Sequence, residues 1–399
     1  HIASVSKTFT ATALLRLVHQ GKVELDAPVR RYVPELRLLD EDVAERITVL
    51  NLLNHTGGLE WNLIDTEDAD SSLAGFVRKL AALPIIAAPG SRASYSQAGY
   101  NLAGRIIENV TGQPYEKAIA SLLLEPLELR STLFDIDEVM VRKFVAGHNR
   151  AEDGSIAPAV PWKASRAGER GNNPGGGVVS TVSDLLRWAK FQLGSGDGLL
   201  PAGVLRGMRE QTVELRASSF GDGIGICWFL RTVDGVLTIG HGGSGNGQFA
   251  ELLVVPERNF AIVSLANSGP DGYTFNQTVV RWALEHYLGL VERDLEPLPY
   301  DARRAEEAAG RYEIDAMNLD IATDGNRITL AVGIKPELRE ASDVEMPPDY
   351  PAAEIGLLPD DEYIVTEGGL TGQRGHFTRN PEGAITGLDL AGRLFPRTK

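Results

Sequence analysis

The chain has 399 residues, 43% of them apolar, with 54 acidic against 39 basic side chains and a net charge of -15. That length can bury one large core and a smaller second one, and an acidic balance with no basic run argues against a nucleic-acid partner. No apolar stretch is long enough to span a bilayer, and with one cysteine (Cys227) and seven histidines lacking ligand spacing, no disulfide, metal or other cofactor is expected.

Ala3-Ser4-Val5-Ser6-Lys7-Thr8 places Ser-x-x-Lys at the mouth of a helix that Ala11, Leu14, Leu15, Leu17 and Val18 carry to a stop at Gly21. Because this start lies inside what should be the beginning of a helix and carries no initiator Met, upstream sequence is expected to have been lost or cleaved. No compartment is legible from this end. Lys22–Pro28 reads as a turn into a short helix, Ile47–Leu53 as a helix closed by the turn His55-Thr56-Gly57-Gly58, and residues 62–75 as an acidic loop. Pro89-Gly90-Ser91 turns into Tyr95-Ser96-Gln97, ahead of a helix from Tyr100 to Val110. Pro174–Gly177 introduces Val178-Val179-Ser180, and Ser183 is the expected N-cap of an amphipathic helix over Leu185–Phe191.

The clearest sheet signal is late, in Val236–Gly240, Glu251–Val255 and Phe260–Leu265, with Pro256–Asn259 as the turn between the last two and Thr274–Leu288 as a closing helix. A sheet of late strands covered by helices from the middle is an α+β or three-layer arrangement. Pro297, Pro299 and the charged run Asp301–Glu307 read as a linker. Beyond Gly310 the pattern changes to short alternating runs such as Arg327–Val332 between Asp-Gly, Gly-Gly and Pro-Asp turns, which suggests a small antiparallel barrel or sandwich. The chain thus divides into residues 1–292, with their N-terminal part expected to be missing, and an all-β domain over 305–399.

Ser and Lys three apart lie on one helix face. An ordinary lysine holds its proton up to a pKa of about 10.4, so burial or nearby positive charge must lower it before the amine can take the serine proton. Tyr95, in a glycine-flanked loop, is a candidate to lose its proton beside the lysine ammonium and relay it. His241-Gly242-Gly243-Ser244 sits between two strands, where glycines permit close approach. A backbone N–H there, paired with that of Ser4, would meet a developing oxyanion. Against these stand structural readings: His55 as a helix-end residue, Trp162, Trp188 and Trp228 as core with a pocket role as the alternative, Cys227 in a buried strand, and Ser6 at a helix start. No Gly-x-Ser-x-Gly occurs.

Ser-x-x-Lys, then Tyr-Ser-x, then His-Gly-Gly, in that order, resembles the serine β-lactamase-like superfamily, and within it the class C β-lactamase-related branch of carboxylesterases, D-aminopeptidases and penicillin-binding-protein homologues. Leu53-Asn54-His55-Thr56-Gly57-Gly58-Leu59 and Gly176–Leu185 carry the same resemblance, which spans roughly residues 1–290. It implies a β-lactamase/transpeptidase-like fold, an antiparallel sheet flanked by helices plus a helical region. It also implies Ser4 as acylated nucleophile, Lys7 as general base, Tyr95 as proton shuttle, His241 at the place of the Lys in a Lys-Thr-Gly motif, and the N–H groups of Ser4 and Ser244 as oxyanion donors. Gln97 stands where Asn is usual, which bears on binding a substrate amide, and His241 replaces a permanent cation, so docking of a carboxylate-bearing substrate is expected to be weaker and pH-dependent.

The reading is a serine hydrolase acting through an acyl-enzyme on a small ester, amide or peptide, with carboxylesterase first, a D-amino-acid-specific peptidase next and β-lactam cleavage third. The alternative of another class is an inactive scaffold. A further expectation is that the tail could reach over the site.

Overall fold

The computed structural model describes residues 1–62, 70–150, 154–159, 170–195, 198–341, 349–368 and 370–398. The helices that matter here are α1 (Ser6–His19), α2 (Val49–Leu53), α3 (Gln97–Thr111), α4 (Val182–Lys190), α5 (Gly272–Leu288) and α6 (Ala302–Ala308). β1 (His148–Arg150) and β2 (Ile156–Pro158) form a small sheet with β9 (Ser268–Gly269). The main sheet is antiparallel in chain order: β3 (Val213–Ser218), β4 (Gly221–Ile224), β5 (Phe229–Val233), β6 (Val236–Gly245), β7 (Gln248–Val255) and β8 (Phe260–Ala266).

Strand alternation gives that sheet two apolar faces. Val233, Val236 and Val255 pack with Val280 and Leu284 of α5. Ile239, Leu252 and Val254 join the large core with Leu14 of α1 and Trp188 of α4. Helix, sheet and helices therefore form three layers, and α1 lies in the middle of the protein. Its threonines survive burial because each hydroxyl is bonded: Thr8 Oγ1 donates to Val5 O, Thr10 Oγ1 to Pro174 O and Thr12 Oγ1 to Thr8 O. Trp188 adds a bond from Nε1 to Thr8 and stacks on Phe9 at 4.1 Å, which makes it core.

The remaining strands, β10 (Gly310–Glu313), β11 (Met317–Thr323), β12 (Ile328–Ile334), β13 (Tyr350–Leu357), β14 (Glu362–Val365), β15 (Arg374–Arg379), β16 (Ile385–Leu390) and β17 (Arg393–Pro396), form an eight-stranded antiparallel sheet in sequence order. A bridge from Tyr312 to Arg397 joins its first and last edges, so it is barrel-like, around a core that includes Tyr312, Tyr363, Phe377 and Phe395.

The structure corrects several local readings. The charged run after Asp301 is helix α6, capped by the Asp301 side chain on Arg304 N; Ala, Arg and Glu are strong helix formers, and their propensity outweighs the appearance of a linker. Thr181, not Ser183, caps α4 by accepting from Asp184 N. A helix over Leu73–Lys79 begins inside the stretch read as an acidic loop, of which residues 63–69 lie outside the described residues, as does Trp162. Cys227 is buried, as expected, but it sits at a φ of +73° in the connection between β4 and β5, not in a strand. β3 to β5 escaped notice because Val213–Ser218 and Gly221–Ile224 mix charged and glycine residues into the alternation.

Candidate active site

Ser4 lies in the single turn Ala3–Val5 that feeds α1, and Ala3 before it is held at a φ of +43°, a conformation rare for a residue with a side chain. The turn is clamped on both sides. Ile2 N donates to Val178 O and Val178 N to Ser6 Oγ, which gives Ser6 its structural role. On the other side β6 passes so close that a Cβ on Gly243 would stand 2.1 Å from Ile2 O and 3.1 Å from Ser4 N. His241, Gly242, Gly243 and Ser244 are all inside β6, not in a connection after a strand, and pair with Leu252, Glu251, Ala250 and Phe249 of β7.

One turn into α1, Lys7 has no exposed surface, and its Nζ has three neighbours: Ser4 Oγ at 3.2 Å, Gln97 Oε1 at 2.6 Å and Gly175 O at 2.8 Å. The Gln97 amide is oriented by its own Nε2, which donates to Asn101 Oδ1 and Asn172 O. Burial drives the Lys7 pKa well below the ordinary lysine range, with Arg393 adding to the fall. A neutral amine has two N–H donors and one lone pair. Gln97 Oε1 and Gly175 O can only accept, so they take both N–H groups, and the lone pair is left for the Ser4 hydroxyl. Gly175 must be glycine for this: a Cβ there would fall 1.9 Å from Gln97 Nε2.

Tyr95 is 5% exposed and lies beside Ser4, whose side chain acts on its hydroxyl. Its ring lies 4.8 Å from Lys7 Nζ, 4.5 Å from the His55 ring and 5.4 Å from Phe220. Burial raises its pKa, against the opposing pull of Ser4 and Arg393. Burial therefore works against the sequence-based expectation of an easily ionised tyrosine beside an ammonium: it disfavours the charged form of both groups, lowering the Lys7 pKa and raising that of Tyr95. His55, at a φ of +60°, accepts from Ser96 N at Nδ1 and supports the Tyr95 loop from below.

His241 is 1% exposed and its ring lies tilted against Phe229 at 4.9 Å, with Nδ1 2.7 Å from Gly242 O. A carbonyl only accepts, so Nδ1 carries the proton and the buried Nε2, which has no partner, presents a lone pair. Desolvation, then Lys7, pushes its pKa down to about 3. His241 is therefore neutral through the physiological range, and the pH-dependent cation expected at this position is absent.

Ser4, Tyr95, Gln97, Gly175 and His241–Ser244 line one cavity of about 1420 Å³, which also receives Trp61, Phe220 and Arg393. Arg393 belongs to β17 of the C-terminal sheet, and nothing in the sequence pattern marked it or Trp61. The hairpin between β16 and β17 docks on the tyrosine loop, where Tyr95 N donates to Gly392 O at 2.7 Å, and Arg92 pairs with Asp389 at 3.4 Å. The described residues include no cluster of side chains able to hold a metal, and no described helix is long and apolar enough to cross a membrane.

A family model described as Beta-lactamase matches residues 1–285. Penicillin-binding protein 4 of Amycolatopsis lactamdurans is 32% identical over 324 residues, covering 78% of this chain and 83% of that protein. Esterase EstB of Burkholderia gladioli is 32% identical over 263 residues, 58% of this chain and 66% of the esterase. Among solved structures, that of SurE with D-Leu matches with a TM-score of 0.70 at 25% identity, covering 100% of this chain and 87% of the other. From the serine turn through most of α5, the chain belongs to the beta-lactamase family.

Proposed function

We propose that the protein is a serine hydrolase that cleaves a small ester or amide through an acyl-enzyme on Ser4. The observation that carries this reading is the placement of the buried Lys7 Nζ 3.2 Å from Ser4 Oγ and against the acceptors Gln97 Oε1 and Gly175 O, which would hold both N–H groups of a neutral amine and leave its lone pair for the Ser4 hydroxyl. Lys7 takes the serine proton as Oγ attacks the carbonyl. The Ser4 N–H, next to the close approach at Gly243, and the N–H of Ser244 on the same strand are the groups assigned to the developing oxyanion. Tyr95 passes its proton to the departing group and is reprotonated by the Lys7 ammonium, so the acyl-enzyme again holds a neutral amine and a neutral phenol. Water then attacks the acyl group, giving its proton to Lys7, and Ser4 Oγ leaves with a proton returned through Tyr95.

Carboxylesterase is the first reading within this class. A neutral His241 puts no cation on β6 beside Ser4, unlike the Lys of a Lys-Thr-Gly motif, and a 32% identical relative is named as an esterase. A D-amino-acid-directed peptidase is the second reading, supported by a match over the whole chain, including the C-terminal sheet, to a structure containing D-Leu.

Hydrolysis of p-nitrophenyl acetate and butyrate, D- and L-alanine p-nitroanilide and nitrocefin by the wild type and by Ser4→Ala tests these readings. Ester turnover lost by at least about a thousandfold in the variant is expected. Turnover of the D-anilide alone would move the assignment to the peptidase. A folded wild type that cleaves nothing and resists a fluorophosphonate would leave the scaffold reading.

A further inference from the structure

The C-terminal sheet contributes an arginine whose charge the protein does not answer. Arg393 enters the cavity between two aromatic faces, its guanidinium carbon 5.0 Å from the Trp61 ring centroid and 5.0 Å from that of Tyr95. Its Nε is wholly enclosed and has no hydrogen-bond partner, and among the described residues no carboxylate pairs with it. Glu60 and Asp389 act on it only through space, and burial raises the pKa of both, so their negative charge is weakened where it would matter. Buried guanidinium groups are ordinarily paired, and a planar fork of donors held in a pocket matches a carboxylate.

The position of the side chain is built. Ala391 and Gly392 both adopt positive φ, +50° and +67°, to turn the hairpin, and a Cβ on Gly392 would stand 2.7 Å from the Phe220 ring. Gly392 O is held by Tyr95 N. Arg393 is thereby fixed one aromatic ring away from Ser4. With His241 neutral, it is a cation without a carboxylate partner set beside Tyr95, whereas Arg170 and Arg231, which also line the cavity, are paired with Glu116 and Glu292.

We propose that Arg393 is a substrate-binding residue that receives a free carboxylate carried by the substrate, so that the cavity takes N-acylated amino acids or short peptides with an unblocked C-terminus. The C-terminal sheet, in place of β6, then supplies the anchoring charge. This deepens the hydrolase reading above and rests on it for the position of the scissile bond, but binding can be measured without turnover.

The test is calorimetric binding of N-acetyl-D-alanine and N-acetyl-D-alaninamide, with the L pair alongside, to Ser4→Ala, Ser4→Ala/Arg393→Gln and Ser4→Ala/Arg393→Lys, each checked for folding by its melting curve. The acid should bind Ser4→Ala about tenfold or more tighter than the amide, the preference should vanish with Gln, and Lys should restore part of it. Equal binding of acid and amide, no binding of either, or an equal loss of both with Gln would overturn the proposal, the last by reducing Arg393 to a support for Tyr95. Acid preference through Arg393 in a protein whose wild type cleaves no ester or amide would sink the hydrolase reading and leave the arginine site standing. Ester turnover without acid preference would do the opposite.

Discussion

At Lys7 the same burial that makes a base also costs stability. Unfolded, the amine binds its proton below about pH 10.4; folded, it releases it at a much lower pH. Between those two values the unfolded state holds the extra proton, so stability rises with pH across that window, by about 1.4 kcal/mol per pH unit. Lys7→Met should abolish hydrolysis and remove this slope. Its stability relative to the wild type should be greatest near neutral pH and decline toward pH 10, as thermal melts at several pH values would report. A difference independent of pH would mean that Lys7 is charged in the folded protein. Ser4, Lys7, Tyr95 and His241 were all legible as motif positions because each motif is local. What the motifs could not convey was protonation, since that depends on Gln97, Gly175 and Arg393, which come from three other parts of the chain.

The element that sets the geometry of the serine turn is β6. The glycines of His241-Gly242-Gly243-Ser244 were read as an opening beside a strand. They are instead the strand itself, lying against the turn that carries Ser4. Gly243→Ala would push its methyl group into Ile2 O, and relieving that overlap must move either β6 or the serine. A cost of about 1–3 kcal/mol in stability is expected, with a fall of about a hundredfold in kcat, because sub-ångström placement governs attack. Denaturant titration and steady-state kinetics would check the pair, and full activity in the variant would argue against an oxyanion role for this part of β6. Helices with strong caps and apolar stripes were visible in advance, whereas α6 was not, because its charged surface resembles a linker unless Asp301 is recognised as the cap.

For the whole molecule, the junction between the catalytic region and the C-terminal sheet is itself titratable. Asp389 is 4% exposed, and burial lifts its pKa to about 7 against the pull of Arg92 and Arg393. Here the folded state holds the extra proton between the ordinary aspartate value of about 3.9 and 7, so stability falls as pH rises through that window. Asp389→Asn should therefore gain on the wild type between pH 4 and pH 8, the opposite trend to Lys7→Met, and parallel melting curves would refute it. The barrel-like sheet itself was legible from its turn pattern. That the tail could reach over the site was an expectation, but the residues by which it does so were not legible, since Arg92 and Asp389 are 297 positions apart and no periodicity spans such a distance.

That separation has a consequence for how the protein comes into being. A ribosome delivers Ser4, Lys7 and Tyr95 early, and the turn and α1 could begin to form while most of the chain is still unmade. The carbonyl of Gly392 that holds the tyrosine loop, and the guanidinium that faces it, arrive only when the hairpin after β16 emerges. A nascent chain therefore carries Ser4 and Tyr95 long before it holds the hairpin that fixes the tyrosine loop.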